Sequence, residues 1–140
     1  MKNQIILSKE YPLNILIAES NHDYRLSAKD ILTQLGYQPE IATTGQELLN
    51  MTSSNSYDVV LMDIRMPEAE GLLTAQRTDT GGRRPILIAM TATGQADFRE
   101  IFLQEGMDHS ISKPVDPAEL TLQLMACSLL TGTRRIRAEN

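Results

Sequence analysis

Four side chains in this sequence, Glu19, Asp63, Thr91 and Lys113, are of types that suit phosphoryl chemistry, and each falls at the end of a short strand-like run. Two carboxylates brought to neighbouring strand ends repel each other unless a cation lies between them, and oxygen ligands from Glu19, Asp63 and a backbone carbonyl suit a hard ion such as Mg²⁺. Lys113 adds a compact positive charge and Thr91 a hydroxyl. Together they can hold the oxygens of a phosphoryl group delivered to a carboxylate. A carboxylate nucleophile that forms an aspartyl phosphate is established chemistry. Taken singly, each residue also has a plainer role: Glu19 as a helix cap, Asp63 as a loop cap, and Lys113 as the ion-pair partner of one of them.

The elements that must position these groups follow from periodicity. Leu13 to Ala18 is a short apolar run that ends in polar Glu19-Ser20-Asn21, the pattern of a buried strand opening into a loop. From Asp23 to Leu35 the spacing becomes helical, with Leu26, Ile31, Leu32 and Leu35 on the inner face and Gly36 as the stop. A second strand fits Gln38 to Ala42, a helix fits Gln46 to Met51, and Thr52 to Ser56 reads as a polar loop. Asp58 to Met62 is apolar on both faces, as expected where helices cover both sides of a sheet. A short helix from Gly71 to Arg77 and a turn over Asp79 to Gly82 follow, then a strand from Pro85 to Met90 and a helix from Gln95 to Glu105. His109 to Ser112 forms the last strand, and Asp116-Pro117 starts a helix that runs to about Leu130.

Strands that alternate with helices, joined by connections too long for hairpins, imply a three-layer, doubly wound α/β fold around a central five-stranded parallel sheet. In such sheets the functional crevice lies at the carboxyl ends of the strands, beside the point where strand order reverses. Glu19, Asp63, Thr91 and Lys113 all fall on that edge.

Composition narrows the classes further. The 140 residues suit one domain with one core. Their 41% hydrophobic and 22% charged fractions argue against disorder. A net charge of −5, with no basic run interleaved with aromatics, argues against nucleic-acid binding. The single cysteine, Cys127, cannot close an internal disulfide, which favours a reducing, cytoplasmic setting. No apolar run approaches the length that spans a bilayer, and the start of the chain does not read as a signal peptide, so no direct membrane contact is expected. His22 and His109 are too far apart in the sequence to suggest a metal pair, although His22 falls in the loop beside the candidate metal site. Gly81-Gly82 lacks the context of a phosphate loop, and no glycine-rich turn follows the first strand. A flavin- or nucleotide-binding enzyme is therefore a weak alternative.

Ile15-Leu16-Ile17-Ala18-Glu19-Ser20-Asn21, Tyr57 to Pro67, Ala89-Met90-Thr91-Ala92 and Ser112-Lys113-Pro114-Val115 resemble the four signature segments of receiver domains of two-component response regulators. The phrasing is most similar to receivers of hybrid sensor histidine kinases, with Gly106-Met107-Asp108 ahead of the lysine strand. The resemblance implies a (βα)5 flavodoxin-like receiver fold. It implies that Asp63 accepts a phosphoryl group from a phosphohistidine on a histidine kinase or histidine phosphotransfer domain. It further implies that Glu19, Asp63 and the Arg65 carbonyl bind Mg²⁺, that Thr91 hydrogen-bonds the phosphoryl group and moves toward it, and that Lys113 pairs with it. The family aims its lysine with a cis peptide before the following proline, for which Lys113–Pro114 offers a cis-prone bond whose isomer the sequence alone does not show, and Arg65 and Thr93 would influence hydrolysis.

Two positions depart from the family pattern. Ser20 stands where a second metal-contacting acid is usual, so Mg²⁺ binding is expected to be weak. Ser110 stands where a switching Tyr or Phe is usual, so no aromatic ring can rotate there. The expected organisation is an N-terminal extension or linker over 1–12, a receiver over 13–130 and a C-terminal tail over 131–140. The expected function is that of a phosphoacceptor receiver in a phosphorelay. As an isolated domain it is no enzyme beyond its own phosphorylation and dephosphorylation, and it is either a free-standing monomer or weak dimer or a fragment of a hybrid kinase. A pseudo-receiver that binds partners without phosphorylation is the alternative.

Overall fold

A computed structural model of the chain describes residues 6–66, 84–92 and 107–139, without the side chains of 92 and 132–139. The expected helices at 71–77 and 95–105, the turn at 79–82 and Thr93 lie outside the described residues. The described elements run α1 (Leu7–Glu10), β1 (Ile15–Ala18), α2 (His22–Gln34), β2 (Glu40–Ala42), α3 (Gly45–Ser54), β3 (Val59–Asp63), β4 (Ile86–Ala92), β5 (His109–Lys113) and α4 (Pro117–Glu139).

All strand pairs are parallel, in the order β2-β1-β3-β4-β5. The doubly wound sheet is therefore as expected, and its order reverses between β1 and β3. The apolar runs are continuous because helices cover both faces. Alternate residues Ile15, Ile17, Val59, Leu61, Ile86 and Ile88 pack with Ala28 and Leu32 of α2 and with Leu120, Leu124 and Cys127 of α4. Leu16, Ala18, Val60, Met62, Leu87 and Ala89 pack on the opposite side with Leu48 of α3.

The helix starts are built from side-chain caps. Asn21 accepts a hydrogen bond from the Tyr24 N–H, Thr44 from the Glu47 N–H and Asp116 from the Glu119 N–H, each satisfying a donor that has no partner within the helix. Asp116 thus caps the helix that Pro117 opens, as the sequence implies.

Three stretches differ from expectation for identifiable reasons. The polar residues Thr52 to Ser54 are helical, not loop, because the Thr52 hydroxyl donates back to the carbonyls of Leu48 and Leu49, and the Ser53 hydroxyl to that of Asn50. The last helix passes Leu130 and continues to Glu139. Its Thr131, buried and polar, is satisfied by donating to the carbonyls of Cys127 and Ser128. Near the amino terminus, α1 forms where only a linker was expected. Leu7 joins the core, the Ser8 N–H donates to the Leu35 carbonyl at 3.0 Å, and the Tyr37 hydroxyl donates to the Tyr11 carbonyl at 2.6 Å.

Candidate functional site

Ala18 of β1 is paired with Met62 of β3, so the next residues, Glu19 and Asp63, emerge side by side where the strand order reverses. At the end of β5, Lys113 extends its long side chain toward both. Its Nζ lies 2.8 Å from Glu19 Oε1 and 3.4 Å from Asp63 Oδ1. All three residues are buried, Glu19 completely. They line one cleft of about 560 Å³ together with Ser20, Asn21, Tyr24, Thr43, Thr44, Gly45, Arg65 and Met66.

Local hydrogen bonds fix the two carboxylates. Glu19 Oε2 accepts from the Asn21 N–H at 3.0 Å, and Asp63 Oδ1 accepts from the Arg65 N–H at 2.9 Å. Among the described residues, no donor bonds Asp63 Oδ2. Burial pushes the Glu19 carboxyl above its ordinary value. The hydrogen bonds from Lys113 and from the Asn21 N–H pull it back, and the charge of Asp63 pushes it up again. Two carboxylates against one ammonium leave the cluster with an excess negative charge in a poorly solvated place, which is where a cation is favoured.

The oxygen-only donor set fits a hard divalent ion. Glu19, Asp63, the Ser20 hydroxyl and the Arg65 carbonyl are the available groups on this wall. Among the described residues, no group of three or more His, Cys, Asp or Glu side chains surrounds one point. The cleft therefore offers two carboxylates supplemented by neutral oxygens.

Of the residues expected to act together, Glu19, Ser20, Asp63, Arg65 and Lys113 share the cleft. Thr91 does not line it. Alternation along β4 puts Thr91 on the same side as Leu87 and Ala89, and its buried hydroxyl donates to the Ile111 carbonyl at 3.4 Å. Ser110 is half-buried and pairs with Ala89. The Lys113–Pro114 peptide is cis. His22 is exposed and away from the cleft wall, with its Nδ1 3.4 Å from Arg25 Nη2.

Two participants were not singled out from the sequence. Arg25 Nη1 donates to the carbonyls of Glu19 at 3.1 Å and Ser20 at 3.3 Å, clasping the loop that carries the site. The ring of Tyr24 has its centroid 4.6 Å from Lys113 Nζ. Both lie on the first turns of α2, where helical spacing alone marks them as ordinary surface or packing residues.

The response regulator receiver domain family model matches residues 15–125. The chain belongs to this family. This receiver is 36% identical over 131 residues to "Histidine protein kinase 1" of Candida albicans, a match covering 84% of this chain and 5% of that protein. It is 35% identical over 123 residues to sensor histidine kinase RcsC of Escherichia coli, covering 88% of this chain and 12% of that protein. The receiver therefore spans a small part of the curated relatives it matches. Among solved structures, it resembles the receiver domain of a Pseudomonas aeruginosa PAO1 sensor histidine kinase, which has a magnesium ion coordinated in its active-site cleft. That likeness has a TM-score of 0.72 at 30% identity and covers 83% of this chain and 97% of the other. The receiver is thus a module of two-component phosphorelay systems, with relatives among hybrid sensor kinases.

Proposed function

We propose that this receiver takes a phosphoryl group on Asp63 from a phosphohistidine of a histidine kinase or histidine phosphotransfer domain. The observation that carries the reading is the convergence of Glu19, Asp63 and Lys113 on one cleft, with Lys113 Nζ within 3.4 Å of the Asp63 carboxylate. A carboxylate oxygen of Asp63 attacks phosphorus, the phosphorus–nitrogen bond to the donor imidazole breaks, and the imidazole leaves with the bonding pair and takes up a proton. Oδ2 suits the attack, since Oδ1 is engaged by the Arg65 N–H and Lys113. Lys113 then balances charge on the phosphoryl oxygens, and the Thr91 hydroxyl turns from the Ile111 carbonyl to donate to one of them. Arg65 and Thr93, two residues beyond Asp63 and Thr91, gate water in hydrolysis of the aspartyl phosphate.

Glu19, Asp63 and the Arg65 carbonyl would hold Mg²⁺, with the Ser20 hydroxyl in place of a second acid. When bound, this ion supplies positive charge to the transferring oxygens. Its binding is weak, because Ser20 adds no charge and the Arg25 guanidinium sits on the same loop.

Residues 13–130 would constitute the receiver of a free-standing protein or of a longer hybrid kinase, with 1–12 as an N-terminal extension or linker and 131–140 as a C-terminal tail. The domain has no turnover beyond its own phosphorylation and dephosphorylation and works in the cytoplasm. No described helix is long and apolar enough to cross a membrane. A binding module that works without phosphorylation is not favoured, since it gives no reason for Asp63 and Lys113 to meet in a buried cleft.

The test is intact-protein mass after incubation with acetyl phosphate and Mg²⁺. A Mg²⁺-dependent phosphoryl adduct on the wild type, absent from Asp63→Ala, is expected. No adduct at any Mg²⁺ concentration overturns the reading.

A further inference from the structure

Lys113 is held from three sides: by Glu19 Oε1, by Asp63 Oδ1 and by the face of the Tyr24 ring. A lysine ammonium is a compact charge on a flexible four-carbon stem, so its position depends on what surrounds it. The two carboxylates do not hold it equally. Glu19, at 2.8 Å, draws the charge more closely than Asp63, at 3.4 Å, although the reaction needs that charge beside Asp63.

The turn that carries the ring is itself anchored through its backbone. The backbone N–H of Tyr24 donates to the side chain of Asn21, and the backbone N–H of Asn21 donates to Glu19 Oε2. One short stretch, residues 19–24, thereby supplies both a carboxylate and an aromatic wall to the same ammonium. Tyr24 is half-buried and lines the cleft, so its ring replaces water next to Nζ, and cation–π attraction strengthens as water is removed.

We propose that Tyr24 is a positioning residue for Lys113, its ring keeping Nζ between Glu19 and Asp63 where it can pair with a phosphoryl group on Asp63. The proposal rests on the assignment of Asp63 as phosphoacceptor. Any aromatic ring at this position does the same work, and an aliphatic side chain of similar size does not.

The test compares the 140-residue wild type, Tyr24→Phe, Tyr24→Leu and, as a second non-aromatic variant, Tyr24→Met. Two readouts are taken: the NMR shift of the Lys113 ε-methylene protons without metal, and the rate of the phosphoryl adduct with acetyl phosphate at saturating Mg²⁺. In the wild type and Tyr24→Phe, the ring current displaces the Lys113 protons from their ordinary position. In Tyr24→Leu and Tyr24→Met that displacement is lost, and the rate falls roughly 2- to 30-fold, the span of cation–π strengths from exposed to desolvated sites.

Non-aromatic variants phosphorylated as fast as wild type overturn the positioning role and leave the Asp63 assignment standing. A Lys113 shift unchanged in those variants also overturns it, as does a rate in Tyr24→Phe as low as in Tyr24→Leu. A wild type that takes up no phosphoryl group overturns the Asp63 assignment, and the proposal with it. The missing adduct mass distinguishes that outcome from the others.

Discussion

At the scale of single residues, the cleft is defined by an imbalance of charge and by a missing acid. Ser20 lines the cavity beside Glu19 and Asp63 but contributes only a hydroxyl. Ser20→Asp adds a third negative charge within reach of the same ion, and Mg²⁺ affinity rises by roughly tenfold, measured by calorimetric titration. Glu19 makes binding pH-dependent. Its carboxyl is raised above 4.5 chiefly by burial, so the folded chain takes up this proton at a higher pH than the unfolded chain does. The stabilisation from this one group is therefore fully present below about 4.5 and is lost as pH rises through the folded value. Metal binding runs the other way, because Mg²⁺ needs the charged form. The rise in melting temperature produced by Mg²⁺ grows as pH rises through the folded value of Glu19, and Glu19→Gln flattens that dependence.

Among the elements, the junction after α2 shows what local chemistry decides. Gly36 has φ +97°, the left-handed region, and a Cβ there would run into Ile6 Cγ2 and Ser8 Oγ. Gly36→Ala therefore loses more than about 1 kcal/mol in urea unfolding, by backbone strain and by displacement of the α1 turn. The glycine stop was legible because the helical spacing ended there. The turn it packs against was not, since four residues show too little periodicity to be read. The ends of α3 and α4 were obscured in a different way. Thr52, Ser53 and Thr131 look like loop residues in sequence, but their hydroxyls bond back to carbonyls one turn earlier and remain inside helices. Such bonds depend on rotamers that composition does not reveal.

For the molecule as a whole, the central strands hold the active edge in place. Leu61 is fully buried in β3, two residues before Asp63, between β1 and β4. Leu61→Ala leaves a cavity under the cleft and costs about 2–5 kcal/mol, read from chemical denaturation. The sheet order also explains why distant residues meet. Because β1 lies next to β3, Glu19 and Asp63 are neighbours although 44 residues separate them, and Lys113 arrives from β5 on the far side of β4.

The sequence by itself determined the parallel α/β class, the strand ends and the set Glu19, Ser20, Asp63, Arg65 and Lys113, because apolar runs that stop at polar groups are local patterns and the signature segments are contiguous. Tertiary structure alone decided how those groups divide the charge. It placed Lys113 nearer Glu19 than Asp63, turned the Thr91 hydroxyl toward Ile111, and brought Tyr24 and Arg25 of α2 to the site. Helical spacing records the buried face of α2 only in part, since Leu26, expected on the inner face, is exposed, and which neighbour each side chain meets depends on how the helix docks across the sheet edge. That geometry is set by packing between segments far apart in the chain.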